Sequence, residues 1–373
     1  VAAYTTSKGG MLALTRARAK DHAKDGIRAN AVSPGCIEAP MTYVVAHENA
    51  QPGEERVMIE NWGNMQPLGL VGQPVALVVI GTFLAMESPV FFRTRNLINV
   101  VNQASVLAIL AMGMTVVMLG GGIDLSLPAN MALAGILGSM AMINLDSVWI
   151  GCLVMMATGM AIGALNGLAV ARLKMIPFVV TLAMMTVCGG ISVWLTNSVS
   201  ISNQPERFFD VFLTRINGLP IGIFIMLVVV LLVQGWASFS RFGWHVYALG
   251  TNADAARTSR VPVEKVLFQT YLLAGTMAGI AAILITARLG TASANVGNDN
   301  VILDVITACV VGGVSIYGGI GRPIGALLGA ILVILLGNVF NLLGLSFFIG
   351  LMVKGVIIIA FVALDSAFAR LGQ

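Results

Sequence analysis

Tyr4 and Lys8 are the first residues whose spacing suits chemistry. On a helix, positions i and i+4 share one face, so the ammonium would lie beside the phenol. A neighbouring cation favours the phenolate and lowers the phenol pKa, which proton transfer from a tyrosine needs. A YxxxK spacing alone arises often by chance. Its context adds weight: Gly26-Ile27-Arg28-Ala29-Asn30-Ala31-Val32-Ser33-Pro34-Gly35 reads as a buried strand running into a turn. Ala39-Pro40-Met41-Thr42 and Pro67-Leu68-Gly69-x-x-Gly72-x-Pro74 follow.

Further on, Gly120-Gly121-Gly122-Ile123-Asp124-Leu125-Ser126 separates two apolar runs. The glycines free the backbone, and Asp124 or Ser126 suits the cap of the next helix. It is no phosphate loop, since it lacks the Lys and the strand–loop–helix setting. Asp304 is the only acid well inside an apolar run, and Lys354 the only base. Asp304 reads either as a site residue or as a hydrogen-bonded structural one. Ion-driven transport usually needs several intramembrane ionisable groups, so their scarcity argues for another energy source.

The segment Ser240–Lys265 is the longest polar interruption in the second part of the chain. Asn252 to Arg260 predicts a short helix with Asn252 as N-cap and Asp254 and Arg257 on one face. Pro262 ends it. Such a helix suits either a docking knob for a cytoplasmic partner or a solvated loop. His245 reads as a packing or interfacial residue. Cys36, Cys152, Cys188 and Cys309 stand far apart without CxxC spacing and read as small apolar fillers.

The elements that must position these residues follow from composition. Hydrophobic residues make up 57% of the 373 and charged residues 10%. Mean hydropathy is +0.90. A soluble domain carries roughly 25% charge, so the bulk of the chain is neither a soluble globule, a disordered tail nor a nucleic-acid binder. It reads as an all-α polytopic membrane protein of about 8–10 transmembrane helices. The chain opens on Val1 rather than Met, as a cut fragment would, and no signal peptide is legible.

Charge divides the chain near residue 75. Residues 1–75 hold 7 of the 21 Lys/Arg and 7 of the 17 Asp/Glu; the other 298 hold the remaining 14 and 10. We therefore read a small α/β segment over 1–74 and a membrane domain over 75–373. Uncharged apolar runs of about 20 residues mark the spans. They fall at 67–86, 100–119, 127–143, 148–170, 175–196, 219–239, 266–286, 301–316, 324–343 and 347–366. Runs 127–143 and 301–316 are short and suit broken or re-entrant segments. Placing 240–265 in the cytoplasm puts eight loop Lys/Arg inside and five outside, with both termini cytoplasmic. Small residues recur four apart at Gly159/Gly163/Gly167, Gly275/Gly279 and Gly321/Gly325/Gly329, which suits close helix packing or a path lined by backbone.

From about residue 76 onward the chain resembles the ribose-type permeases of ABC sugar transporters. The resemblance rests on Ser88-Pro89-x-Phe91-Phe92…Asn96-Leu97, on Ala111-Met112-Gly113-Met114-Thr115 leading to Gly122-Ile123-Asp124-Leu125-Ser126, and on Tyr247-Ala248-Leu249-Gly250-x-Asn252…Ala255-Ala256-Arg257. Val311-Gly312-Gly313…Gly318-Gly319-x-Gly321-Arg322 and Asn338…Asn341-Leu342-Leu343-Gly344 complete it. Arg260-Val261-Pro262 and Leu127-Pro128 depart from the usual pattern.

This resemblance implies an importer of a ribose/xylose-type monosaccharide in the bacterial inner (plasma) membrane. The chain would pair with a second permease copy and bind no cofactor of its own. Cytoplasmic ATPase subunits would use ATP, and a periplasmic binding protein would deliver the sugar. The loop matching Asn252–Arg260 is then the coupling helix, with Asn252, Ala253, Ala255, Ala256 and Arg257 facing the ATPase. Asp124, Ser126, Asp304, Gly312 and Gly313 are the candidates for path or gate.

Residues 1–74 resemble the C-terminal part of a short-chain dehydrogenase/reductase. The Gly-rich dinucleotide loop and the catalytic Ser that precede this Tyr in that family are absent from the segment. Holding a nicotinamide cofactor needs that loop and its helix N-terminus. Tyr4 and Lys8 then read as relics, in a segment that is catalytically silent. Two rival readings are a dehydrogenase whose first half lies upstream, fused to a membrane region, and an ion-coupled secondary transporter.

Overall fold

The computed structural model describes residue 91, residues 93–342, and beyond them Gly344, Ile349, Met352 and Gly355. Tyr4, Lys8, Cys36, Lys354, the run 67–86 and most of 347–366 lie outside the described residues. The described part is helical: α1 (Thr94–Leu119), α2 (Leu127–Asn144), α3 (Val148–Ala171), α4 (Pro177–Thr196) and the short α5 (Glu206–Phe212). A two-stranded hairpin, β1 (Arg215–Ile216) and β2 (Leu219–Pro220), leads into α6 (Ile221–Phe239). Then come α7 (Arg241–Thr251), α8 (Ala253–Thr258), α9 (Val263–Leu289), α10 (Asp299–Val311) and α11 (Pro323–Leu342).

Seven of these, α1, α2, α3, α4, α6, α9 and α11, are long and apolar enough to cross a membrane. They match seven of the sequence-predicted runs. The run 301–316 differs. Its helix α10 has 13 residues, about 20 Å of helix against a hydrocarbon core of about 30 Å. Gly312 and Gly313 end it early, Gly313 at φ 78°.

Hydropathy does not decide which helix is central. The most apolar windows of α1 and α4 score 1.9 and 2.0, yet 83% of the first is buried and 22% of the second. α1 is wrapped by α6, α9, α10 and α11, and from Ala104 to Leu119 every residue is buried. A helix apolar on all sides is either a core helix or a lipid-facing one, and neighbours choose between them. α4 turns Phe178, Val187 and Trp194 outward.

The tightest crossing joins α3 to α9. A Cβ on Gly159 would strike the carbonyl oxygen of Gly275, and one on Gly163 would strike that of Tyr271. Backbones meet here with nothing between them, as small residues four apart allow in lipid. Gly325 and Gly329 do the same for α11 against Gly312 and Ala308. Gly321 does not extend that row, because α11 begins at Pro323.

Candidate functional site

The short polar helix forms as its residues predict. Asn252 Oδ1 accepts the Ala255 N–H at 2.9 Å, capping α8. The helix ends at Ser259 rather than at Pro262, and Arg260 turns left-handed at φ 61°. Asn252, Ala253, Ala255 and Arg257 are exposed, while Ala256 is buried. Ala256 is thus the inward anchor, and the other four form an open face. Arg257 Nη2 donates to Glu264 Oε1 at 3.0 Å, tying α8 to the start of α9. Both side chains are about half exposed, so water screens the pair and it ties the two helices only weakly.

Just before α8, Gly250 lies against two other segments. A Cβ there would strike Leu119 O and Gly319 N. Gly319 N–H donates to Leu119 O at 3.0 Å, and Tyr247 Oη donates to Gly321 O at 2.8 Å. The end of α7, the end of α1 and the α10–α11 turn therefore meet at one point. Burial pushes the Tyr247 phenol up, partly offset by the Arg322 cation.

At the same end of α1, Asp124 is 1% exposed. Its Oδ1 accepts the Ser126 N–H at 3.0 Å and the Ser126 hydroxyl at 2.6 Å. Asn166 Nδ2 on α3 donates to Ser126 Oγ at 2.8 Å and approaches Asp124 Oδ1 at 3.5 Å. Thr181 on α4 donates to Ile123 O at 3.3 Å. Loss of water pushes the Asp124 carboxyl up to about 6, against the hydrogen bonds from Ser126 and Asn166. Ser126 occupies the N-cap position of α2 but makes no side-chain cap bond. Its hydroxyl is committed to Asp124, so the expected cap does not form.

Asp124 and Ser126 are therefore in contact, and Gly312 and Gly313 stand at the α10–α11 turn. Asp304 is half-buried on α10, eight residues before Gly312 and so about 12 Å along the helix. Asn166, Thr181 and Tyr271 were not singled out by the sequence, and Tyr247 entered only as part of a motif. The Tyr271 hydroxyl lies 2.7 Å from where a Gly122 Cβ would be. Neither it nor Asn166 Oδ1 has a hydrogen-bond partner among the described residues. A lone amide inside an apolar run was the available signal for Asn166. Cys152, Cys188 and Cys309 are buried free thiols, as their spacing implied.

A family model described as branched-chain amino acid transport system / permease component matches residues 96–362. The chain belongs to this permease family. The ribose import permease protein RbsC of Escherichia coli K12 is 37% identical over 297 residues, covering 78% of this chain and 92% of the relative. The Bacillus subtilis 168 protein of the same name is 35% identical over 321 residues, covering 85% and 98%. The galactose/methyl galactoside import permease protein MglC of E. coli K12 is 32% identical, covering 78% and 92%. No solved structure matches. Residues 1–97 match a second family model, described as enoyl-(acyl carrier protein) reductase, in agreement with the dehydrogenase resemblance of the first segment. With seven apolar helices, the permease is a multi-pass membrane protein.

Proposed function

We propose that this chain is the membrane subunit of an ATP-driven importer for a monosaccharide in the bacterial inner membrane. The observation that carries the reading is the junction of α8 with the centre of the bundle. The open face of α8 offers Asn252, Ala253, Ala255 and Arg257 to a cytoplasmic ATPase. Behind it, Gly250 touches the end of α1 and the α10–α11 turn without intervening side chains. A push on α8 therefore reaches the most buried helix directly. Packed interfaces of this kind transmit small displacements because they do not deform smoothly.

In this reading ATP is bound and hydrolysed in partner subunits, and this chain binds no cofactor. A second permease copy completes the transmembrane path, and a periplasmic binding protein delivers the sugar. Both termini lie in the cytoplasm. Asp124 and Ser126, held by Asn166, fix the α1–α2 loop at the gate end; Gly312 and Gly313 end α10 so that Gly318 of the turn packs on Gly121 of that loop; Asp304 lies toward the path. Tyr4 and Lys8 take no part.

Uptake of labelled ribose and galactose into proteoliposomes holding the assembled transporter tests this. ATP supplied on the α8 side should drive uptake, and a proton ionophore should leave it unchanged. Uptake that collapses with the ionophore at constant ATP would overturn the energy source.

A further inference from the structure

At the opposite end of the bundle from α8, a cavity of about 200 Å³ opens between α1, α6, α9 and the segment carrying α5 and the hairpin. On α1, Asn102 stands 17 residues before Leu119, about 25 Å along the helix. The cavity is thus remote from the Asp124 site. Asn102 and Ser105 line it from α1, Arg288 from α9, Gly222 from α6, Phe212 from α5 and Arg215 from β1.

We propose that this cavity is a monosaccharide subsite at the outer mouth of the permease; the inference rests on the transport reading above. Its lining combines what a sugar ring needs. The Phe212 ring, 5.2 Å from that of Phe208 and so held by an aromatic neighbour, offers an apolar face to the C–H side of the ring. Two guanidinium groups offer forked donors to adjacent hydroxyls. Among the described residues, Arg288 Nη1 donates to the carbonyls of Asn102 and Gln103, both long bonds at 3.4 Å. The Asn102 side-chain amide makes no hydrogen bond among the described residues, leaving a donor and an acceptor open to the cavity. Ser105 Oγ is already spent on Asn102 O at 2.7 Å, and its lone pairs still accept. The volume has room for several waters, the scale of one sugar ring and not of a chain of them.

Gly222 sets the width. A Cβ there would lie 3.2 Å from Asn102 Oδ1 and 3.5 Å from Ser105 Oγ. Added bulk should therefore discriminate by sugar size. The experiment compares kcat/KM for ribose and galactose uptake in proteoliposomes of the whole transporter, for wild type, Gly222→Val and Arg288→Lys. Co-purification with the ATPase reports a folded, assembled permease. Gly222→Val should lower galactose uptake about tenfold more than ribose uptake. Arg288→Lys, which keeps charge but loses the fork, should lower both about tenfold through KM.

Equal losses for the two sugars in Gly222→Val, or no change in either variant, would overturn the subsite while leaving the permease reading intact. A clear preference for a sugar acid over both neutral sugars, abolished in Arg288→Lys, would overturn the neutral-sugar assignment. Absence of wild-type uptake would count against the transport reading and this site together.

Discussion

Replacing Asp124 by Asn should flatten the pH dependence of stability. The carboxyl is buried and its pKa rises from 3.8 to about 6. A raised folded pKa means the native state holds the proton more tightly than the unfolded chain does. The corresponding stability is fully present below pH 3.8 and is lost as pH rises through 6. The full loss is roughly 3 kcal/mol. By the same linkage about half of it is recovered on acidification from pH 7.5 to pH 5. In the Asn variant this contribution vanishes, and the side-chain oxygen can still accept from Ser126. Its new amide hydrogens face a region where Asn166 Oδ1 lacks a partner among the described residues. Unfolding of the permease in nanodiscs, measured at pH 5 and pH 7.5, checks this. Wild type should gain on the order of 1 kcal/mol relative to the variant at pH 5. If the two proteins share one pH profile, and the variant loses several kcal/mol at pH 7.5, the carboxylate is stabilised in its charged form and the reasoning fails.

Other outcomes follow from the same contacts. Arg257→Glu should abolish ATPase pull-down while membrane insertion stays normal; Glu264→Gln, which breaks the same exposed ion pair, should leave pull-down intact, and equal loss in both would place the effect in the ion pair. Gly275→Val drives a side chain into the Gly159 and Gly163 backbones, so folded yield in detergent should fall sharply, whereas Gly235→Val, with nothing near its Cβ, should not change it. Tyr247→Phe removes the bond to Gly321 O and should cost about 1 kcal/mol, read as faster amide exchange across 312–322.

Much of the bundle was legible because lipid imposes strong rules. Uncharged runs gave α1, α2, α3, α4, α6, α9 and α11, and Gly159, Gly163, Gly275 and Gly279 marked the closest crossing. Asn252 announced α8 through a local bond three residues long. Burial was less legible, since α1 and α4 differ in neighbours and not in hydropathy. α10 fell short because Gly312 and Gly313 stop a run that stays apolar beyond the helix. Of the site networks, Asp124 and Ser126 stood out in the sequence, but their distant partners did not. Asp124 and Asn166 are 42 residues apart, Tyr247 and Gly321 are 74 apart, and Asn102 and Arg288 are 186 apart. Only tertiary packing, of α1, α3 and α9 and of α7 against the α10–α11 turn, brings such partners together.

Sugar-stimulated ATP hydrolysis in nanodiscs tests the central claim most directly. The chain would be assembled with its ATPase and its binding protein, once whole and once without residues 1–66. The account predicts stimulation in both forms, with transport carried by the permease part. Stimulation in neither, from protein that is folded and inserted, would contradict it.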